Sequence, residues 1–342
     1  MDRRAFLTAA GACSLVSASA QIARAQPVRR FAEAAAYSAQ RDGASFMVVR
    51  NGVVLSEDYP GGAADTRLPI GAGTRPFATL LIASLIEDHL ITLDEPASMT
   101  LGDWGAHPTK STISIRSLLS GASGIAFTGG DHSLAAAIAL EPSDPPGVRF
   151  RTDAAPFMLL TEIARRKLER SGRFELDPAL YLTTRTLLPI GCVPIGWARG
   201  GDGAARFDDG AAVSARGWAA AGELIRREGV WRAQQLADDS ALREALRGSF
   251  AESRAGFGLW LAAPARTQDQ LGVDTDIWRA SSPAPADMAM AAGDGGQRLY
   301  ISPREGLVVV RQSRSTNANA QWSDAQFLSL IYRDLQAATP TL

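Results

Sequence analysis

Lysine is almost missing from this chain: of 35 basic residues only Lys110 and Lys167 are lysines, and the rest are arginines. A guanidinium keeps its proton at any ordinary pH, whereas a desolvated ammonium can give one up, so there are very few places for an amine base. Histidine is nearly as scarce. His89, His107 and His132 are scattered among expected loops and helix ends, and no Cys/His ligand spacing exists, so neither a metal site nor a cofactor is expected. The only cysteines are Cys13 and Cys192. A net charge of −1 and a pI near 6.3 give no electrostatic reason to expect nucleic acid or an anionic membrane as partner. Beyond the first residues, no apolar run approaches the roughly 20 residues that a membrane span needs.

What is present begins with an address. Arg3 and Arg4 precede an Ala-rich apolar stretch, and Ala23-Arg24-Ala25 supplies a small-x-small cleavage site before Gln26. The pattern is that of a twin-arginine export signal, so residues 1–25 are expected to be removed and the mature protein to be periplasmic or secreted. Cleavage would take Cys13 with it and leave Cys192 as the only thiol, a buried structural one.

Residues 26–342 are expected to form one domain, with 46% hydrophobic residues in the chain to fill its core. Apolar residues at helical spacing predict a helix over 28–40. Two β-prone runs, 44–50 and 53–56, flank Asn51-Gly52, the strongest short-range hairpin signal. From about 72 to 254 the pattern is mainly helical, with helices expected near 159–168 and 219–227. Gly200-Gly201-Asp202-Gly203 and Asp208-Asp209-Gly210 mark loops that could border a pocket; they lack the ordered ligands of a calcium loop. Strands return at 257–261, 288–293, 297–302 and 307–312. A helix over 324–336 carries Phe327, Leu328, Leu330, Ile331 and Leu335 at helical spacing.

The stretch Ile70-Gly71-Ala72-Gly73-Thr74-Arg75-Pro76-Phe77, feeding a long apolar helix, resembles the active-site turn of the serine β-lactamase and penicillin-binding-protein family, in its class C and esterase-like branch. The segment over 113–125 is similar to that family's helix leading into a Ser-Gly turn. The segment over 146–160 is similar to the one carrying its Tyr-x-Asn motif, and Ala291-Ala292-Gly293 falls where its Lys/His-Thr/Ser-Gly motif stands. The resemblance implies an α/β (α+β) fold of the β-lactamase/transpeptidase type: an antiparallel sheet flanked by helices, from about 28–70 and 255–342, plus a mostly helical subdomain over about 72–254. In the family a serine attacks an acyl carbonyl and a lysine one helical turn later takes up its proton. The matching positions here are Ala72 and Arg75, and the tyrosine position falls on Thr152. His107 and Ala164 stand three residues before the two lysines, so no Ser-x-x-Lys exists in any register.

The resemblance therefore implies a pocket without the family's chemistry: an exported pseudoenzyme binding a small molecule, a peptide or a peptidoglycan-like acyl ligand. Arg75, Thr152, Asp153, Gly293, Asp294 and Gly295 are the expected binding residues. Arg75 serves either as a ligand anchor or as the partner of an acid such as Asp153, since buried charges are usually paired. Gly293, Gly295 and Gly296 fit a turn or a close backbone approach. Two other readings stay open. One is an active hydrolase that has recruited other groups, with Thr74, Ser123, Thr152, His132 and Asp153 as candidates; beside its glycine, Ser123 fits a turn better than a nucleophile. The other is an envelope scaffold that binds another protein.

Overall fold

Arg50 pairs with Val53 across Asn51 and Gly52, whose φ angles of 51° and 78° are those of a two-residue primed turn, so the expected hairpin forms. The computed structural model in which it is seen describes residues 30–60, 62–129, 132–172, 177–193, 195–264, 271–315 and 321–337. The expected export signal, with Arg3, Arg4, Cys13 and the cleavage site before Gln26, lies outside the described residues.

The hairpin strands, β1 (Gly43–Arg50) and β2 (Val53–Asp58), belong to a six-stranded sheet completed by β3 (Trp260–Leu261), β4 (Ala289–Gly293), β5 (Gln297–Ser302) and β6 (Leu307–Ser313). The order is β2-β1-β6-β5-β4-β3 and every neighbouring pair is antiparallel. Alternate side chains project to opposite faces, and both faces are covered. Met47, Val49, Leu299, Ile301, Val308 and Val310 join the larger hydrophobic cluster. Phe46, Val48, Tyr300, Leu307 and Val309 join the smaller one on the other side. That smaller layer is closed by α1 (Ala32–Ala39) and the terminal helix, whose Phe327, Leu328, Ile331 and Leu335 are buried there. Where both faces are buried, at the centre of the sheet, residues 46–49, 299–301 and 307–310 read as continuous apolar runs, whereas the edge strand β2 leaves Val53 and Val54 exposed.

Between the two parts of the sheet lie α2 (Arg75–Glu87), α3 (Ala155–Arg170) and α4 (Ala215–Arg226), among shorter helices. Every residue of α2 from position 76 to 85 is buried, as befits a helix apolar on all sides at the centre of a domain. Helix α4 presses on the sheet at Gly222, where a Cβ would stand 2.9 Å from the Leu299 side chain.

The middle of the chain also contributes to a small three-stranded sheet of Leu68–Pro69, Ala211–Val213 and Ile195–Trp197. One expectation needs correction: the strand expected over 257–261 shrinks to Trp260–Leu261. Gly258 has a φ of 67°, and a Cβ there would come 2.8 Å from the Arg75 carbonyl carbon, so the chain turns against α2 before it can extend.

Candidate functional site

The turn Gly71–Thr74 is a single 3₁₀ turn running directly into α2. Gly71 takes a φ of 53°, and Gly73 has no room for a side chain because a Cβ would meet the Trp218 ring at 2.8 Å. The Thr74 hydroxyl donates to Gly71 O at 2.7 Å and accepts from Ala211 N at 3.0 Å, which ties the turn to the small sheet. Pro76 in the first helical turn costs no hydrogen bond, since that N–H would have no partner in the helix. These local devices hold Ala72 at the head of α2.

Across from Ala72 is the end of β4. Gly293 approaches the preceding residue of the turn so closely that a Cβ would lie 2.0 Å from Ile70 O. The segment Asp294–Gly296 then turns back into β5, with Gly295 and Gly296 at φ of 72° and 78°. The carbonyl oxygens of this turn are held from below by two buried arginines. Arg298 donates to Gly293 O at 3.1 Å, and Arg311 donates to Gly295 O at 2.6 Å and Gly296 O at 2.9 Å. Arg298 is in turn fixed by Asp324 at 2.8 Å, and Arg311 stacks 4.5 Å from the Trp322 ring centroid.

A cleft of about 310 Å³ opens between these two turns, and Ala72, Arg75, Thr152, Gly293, Asp294 and Gly295 all line it. Trp260, Asp274, Arg298 and Trp322 form more of its wall. None of those four stood out in the sequence, because each reaches the cleft through long-range packing and carries no motif.

Arg75 donates from Nη1 to the Thr152 hydroxyl, and its charge lies 5.3 Å from the Phe157 ring centroid. Its Nε is buried without a hydrogen-bond partner. Burial pulls the guanidinium below its usual range, against the carboxylates of Asp208, Asp153, Asp209 and Asp294, which favour the charged form. Burial likewise pushes the Asp208 carboxyl up, helped by neighbouring Asp209. Asp208 and Asp209 thus act on Arg75 by their charge, although neither is among the residues lining the cleft.

Asp153 is not among the residues lining the cleft. Its Oδ1 accepts from Ala155 N at 2.8 Å and Phe127 N at 3.2 Å, so it anchors the start of α3. No ion pair joins it to Arg75 among the described residues; Thr152 takes the hydrogen bond instead. The other candidates do not gather into a catalytic set. Ser123 is buried and accepts from Ile125 N at 3.2 Å, a turn role. His132 stacks on Phe127 at 4.4 Å. His107 pairs with Glu141 at 2.8 Å, and both lysines are engaged, Lys110 with Glu141 at 3.2 Å and Lys167 with Glu95 at 2.5 Å. Among the described residues no group of three or more His, Cys, Asp or Glu could hold a metal ion, and no helix is long and apolar enough to cross a membrane.

The chemistry open to this cleft is limited by its atoms. Ala72 offers a methyl group, Arg75 can donate but not accept a proton, and the Thr152 oxygen already accepts from that guanidinium. Donors, aromatic walls and the acids Asp274 and Asp294 line the cleft and can bind and orient a ligand.

The family model described as Beta-lactamase matches residues 28–331. No curated protein sequence matches the chain. Among solved structures, a penicillin-binding protein homologue from Caulobacter crescentus superposes with a TM-score of 0.68 at 16% identity, covering 89% of this chain and 97% of that one. A family VIII carboxylesterase gives 0.67 at 15% identity, with 89% and 97% covered. A beta-lactamase from Mycobacterium bovis gives 0.62 at 17% identity, with 86% and 94% covered. These likenesses are in the fold.

Proposed function

This chain belongs to the beta-lactamase family, and on that premise we propose that it is a non-acylating member, one that holds a small ligand in the family's cleft without forming a covalent intermediate. The observation that carries the reading is the convergence of Ala72, Arg75 and Thr152 on one open cleft. Had those positions been scattered or filled in, the missing serine and lysine would say nothing about this pocket. Nucleophile and base act as a unit, and losing both removes orders of magnitude in rate. Neighbours of the same fold include a carboxylesterase, but recruitment of another nucleophile has no support from Thr74 or Ser123, whose hydroxyls serve the backbone.

The ligand class that fits is a small molecule, peptide or peptidoglycan-like fragment of modest size, given about 310 Å³ of space. The protein acts after export through the twin-arginine route, in the periplasm or outside the cell, a reading supported by Arg3, Arg4 and the Ala23-Arg24-Ala25 site.

The deciding experiment treats the purified protein with a fluorescent penicillin and a fluorophosphonate, in parallel with equilibrium binding of short peptides and muropeptides. Saturable binding with no covalent label is expected. A stoichiometric adduct on any residue of the cleft would overturn the proposal. For export, Arg3→Lys with Arg4→Lys should trap the precursor in the cytoplasm, and undiminished secretion would rule the route out.

A further inference from the structure

Arg75, Arg298, Asp274 and Asp294 are the charged side chains lining the cleft, and they differ in how far the protein itself satisfies them. A guanidinium carries five N–H donors, and Arg298 directs all of its own into the protein: Nε to Asp324, Nη1 to the backbone oxygens of Gly293 and Gln297, Nη2 to the backbone oxygen of Asp274 and again to Asp324. Arg298 has no donor left for a ligand, and Asp324 neutralises its charge. Arg75 is the opposite case. Among the described residues it commits one donor, to the Thr152 hydroxyl, and its Nε is buried with no acceptor.

Asp208, Asp153, Asp209 and Asp294 act on Arg75 through their charge, but the first three are engaged elsewhere. Asp153 accepts from two backbone N–H groups, Asp209 pairs with Arg206, and burial favours the neutral form of Asp208. Asp294 is exposed, as is Asp274. Among the described residues neither carboxylate has a hydrogen-bond or ion-pair partner; their charges act at a distance, Asp294 on Arg75 and Asp274 on Arg298. The cleft therefore holds one under-used cation with donors to offer and two unpaired anions. A ligand with only a negative charge would meet the two acids, and one with only a positive charge would leave the Arg75 donors unmatched.

We infer that the cleft recognises a short zwitterionic peptide by both of its ends, with the terminal carboxylate on Arg75 and the terminal ammonium on Asp294 and Asp274. Arginine suits the first contact because its planar fork can grip both oxygens of a carboxylate. The indole walls, Trp260 and Trp322, are left to pack on the side chains. An extended dipeptide spans about 7 Å, and a cleft of about 310 Å³ suits a molecule of that order. The inference rests on the reading of the cleft as a ligand site and narrows its ligand to a peptide with both termini free, rather than one held within a polymer.

The test is calorimetric titration with alanine, alanyl-alanine and trialanine in both enantiomers, followed by the N-acetylated and C-amidated forms of the tightest binder. Blocking either end should weaken binding at least about tenfold, which corresponds to ~1.4 kcal/mol. The double variant Asp274→Asn with Asp294→Asn should lose the penalty for N-acetylation and keep the one for amidation. Arg75→Gln should do the reverse; because its side chain is largely buried it is the variant at risk of misfolding, and the surface pair of substitutions tests the ammonium end without it. Equal affinity for free and blocked peptides would overturn the inference and leave non-covalent binding standing. No binding of any free peptide up to ~10 mM, weaker than about 3 kcal/mol, would also overturn it. Mass spectrometry of the same mixtures separates the two readings, since a covalent adduct would refute the non-acylating reading while the preference for free ends could persist.

Discussion

Arg298 Nε and Asp324 Oδ1 stand 2.8 Å apart beneath the cleft, and through this pair the last helix governs the shape of the candidate site. The same carboxylate accepts from Thr275 at 2.6 Å, from the Trp322 indole at 2.9 Å and from the Tyr300 hydroxyl. The same guanidinium reaches Gly293 O and Asp274 O. Two cleft walls, Trp322 and the Gly293 turn, therefore hang on one buried ion pair.

Replacing Asp324 by Asn strands the Arg298 charge in the interior and should cost about 3–5 kcal/mol. Burial opposes the carboxylate, but Arg298 and the hydroxyl donors overcome it and hold Asp324 below its usual range. A depressed acid contributes stability that is complete above the unfolded value near ~4 and is lost as pH falls through the folded one. Urea unfolding of both proteins from neutral pH downward should show a gap that is constant above about pH 4 and narrows below it. A gap that widens in acid would contradict the assignment.

Gly293→Ala probes why a glycine stands at the end of β4. Its φ of −124° suits any residue, so strain in the backbone is not the issue; a Cβ would sit 2.0 Å from Ile70 O. The Gly71–Thr74 turn must then move, at a cost of roughly 1–3 kcal/mol as in other overpacked sites. Thermal unfolding should show the loss, and ligand affinity at the cleft should fall with it. A variant as stable as the native chain would mean that the two turns are free to separate.

The parts legible in the sequence were those coded locally. Asn51-Gly52 announced its hairpin because two positive φ angles are needed there, and the terminal helix, Asp324–Ala337, showed its apolar stripe. The positions Ala72, Arg75, Thr152 and Gly293 could be placed on one cleft from ordered likeness to a family, although they are far apart in the chain. What escaped were relations made only by folding. Trp260 and Arg298 have no signature that sets them apart from other buried residues, and the partner of Arg75 proved to be Thr152 instead of Asp153, whose carboxylate two backbone N–H groups had already claimed. The strand at 257–261 was overestimated for the same reason: composition favours extension, but Gly258 packs its backbone on Arg75.

Cys192 is fully buried, and that burial drives its thiol far above the ordinary range. Thiolate, not thiol, is the reactive form. A water-soluble disulfide reagent should therefore modify the native protein on the order of a hundredfold more slowly than the urea-unfolded chain, with a rate that tracks opening of the fold. Rapid native labelling at neutral pH would place the thiol at the surface.

The strongest test of the catalytic reading is stepwise restoration. Ala72→Ser supplies an attacking oxygen, but Arg75 cannot take its proton, so labelling by a fluorophosphonate should stay at the native background. Adding Arg75→Lys supplies a group that can. Burial around that position favours a neutral amine, whereas the carboxylates of Asp208, Asp153, Asp209 and Asp294, which act on Arg75 in the native chain, favour the ammonium. The double variant should therefore label slowly at neutral pH and progressively faster as pH rises, following release of the lysine proton. If Ala72→Ser alone reacts as fast as the pair, some other base serves the cleft, and the view that these two residues silence it is wrong.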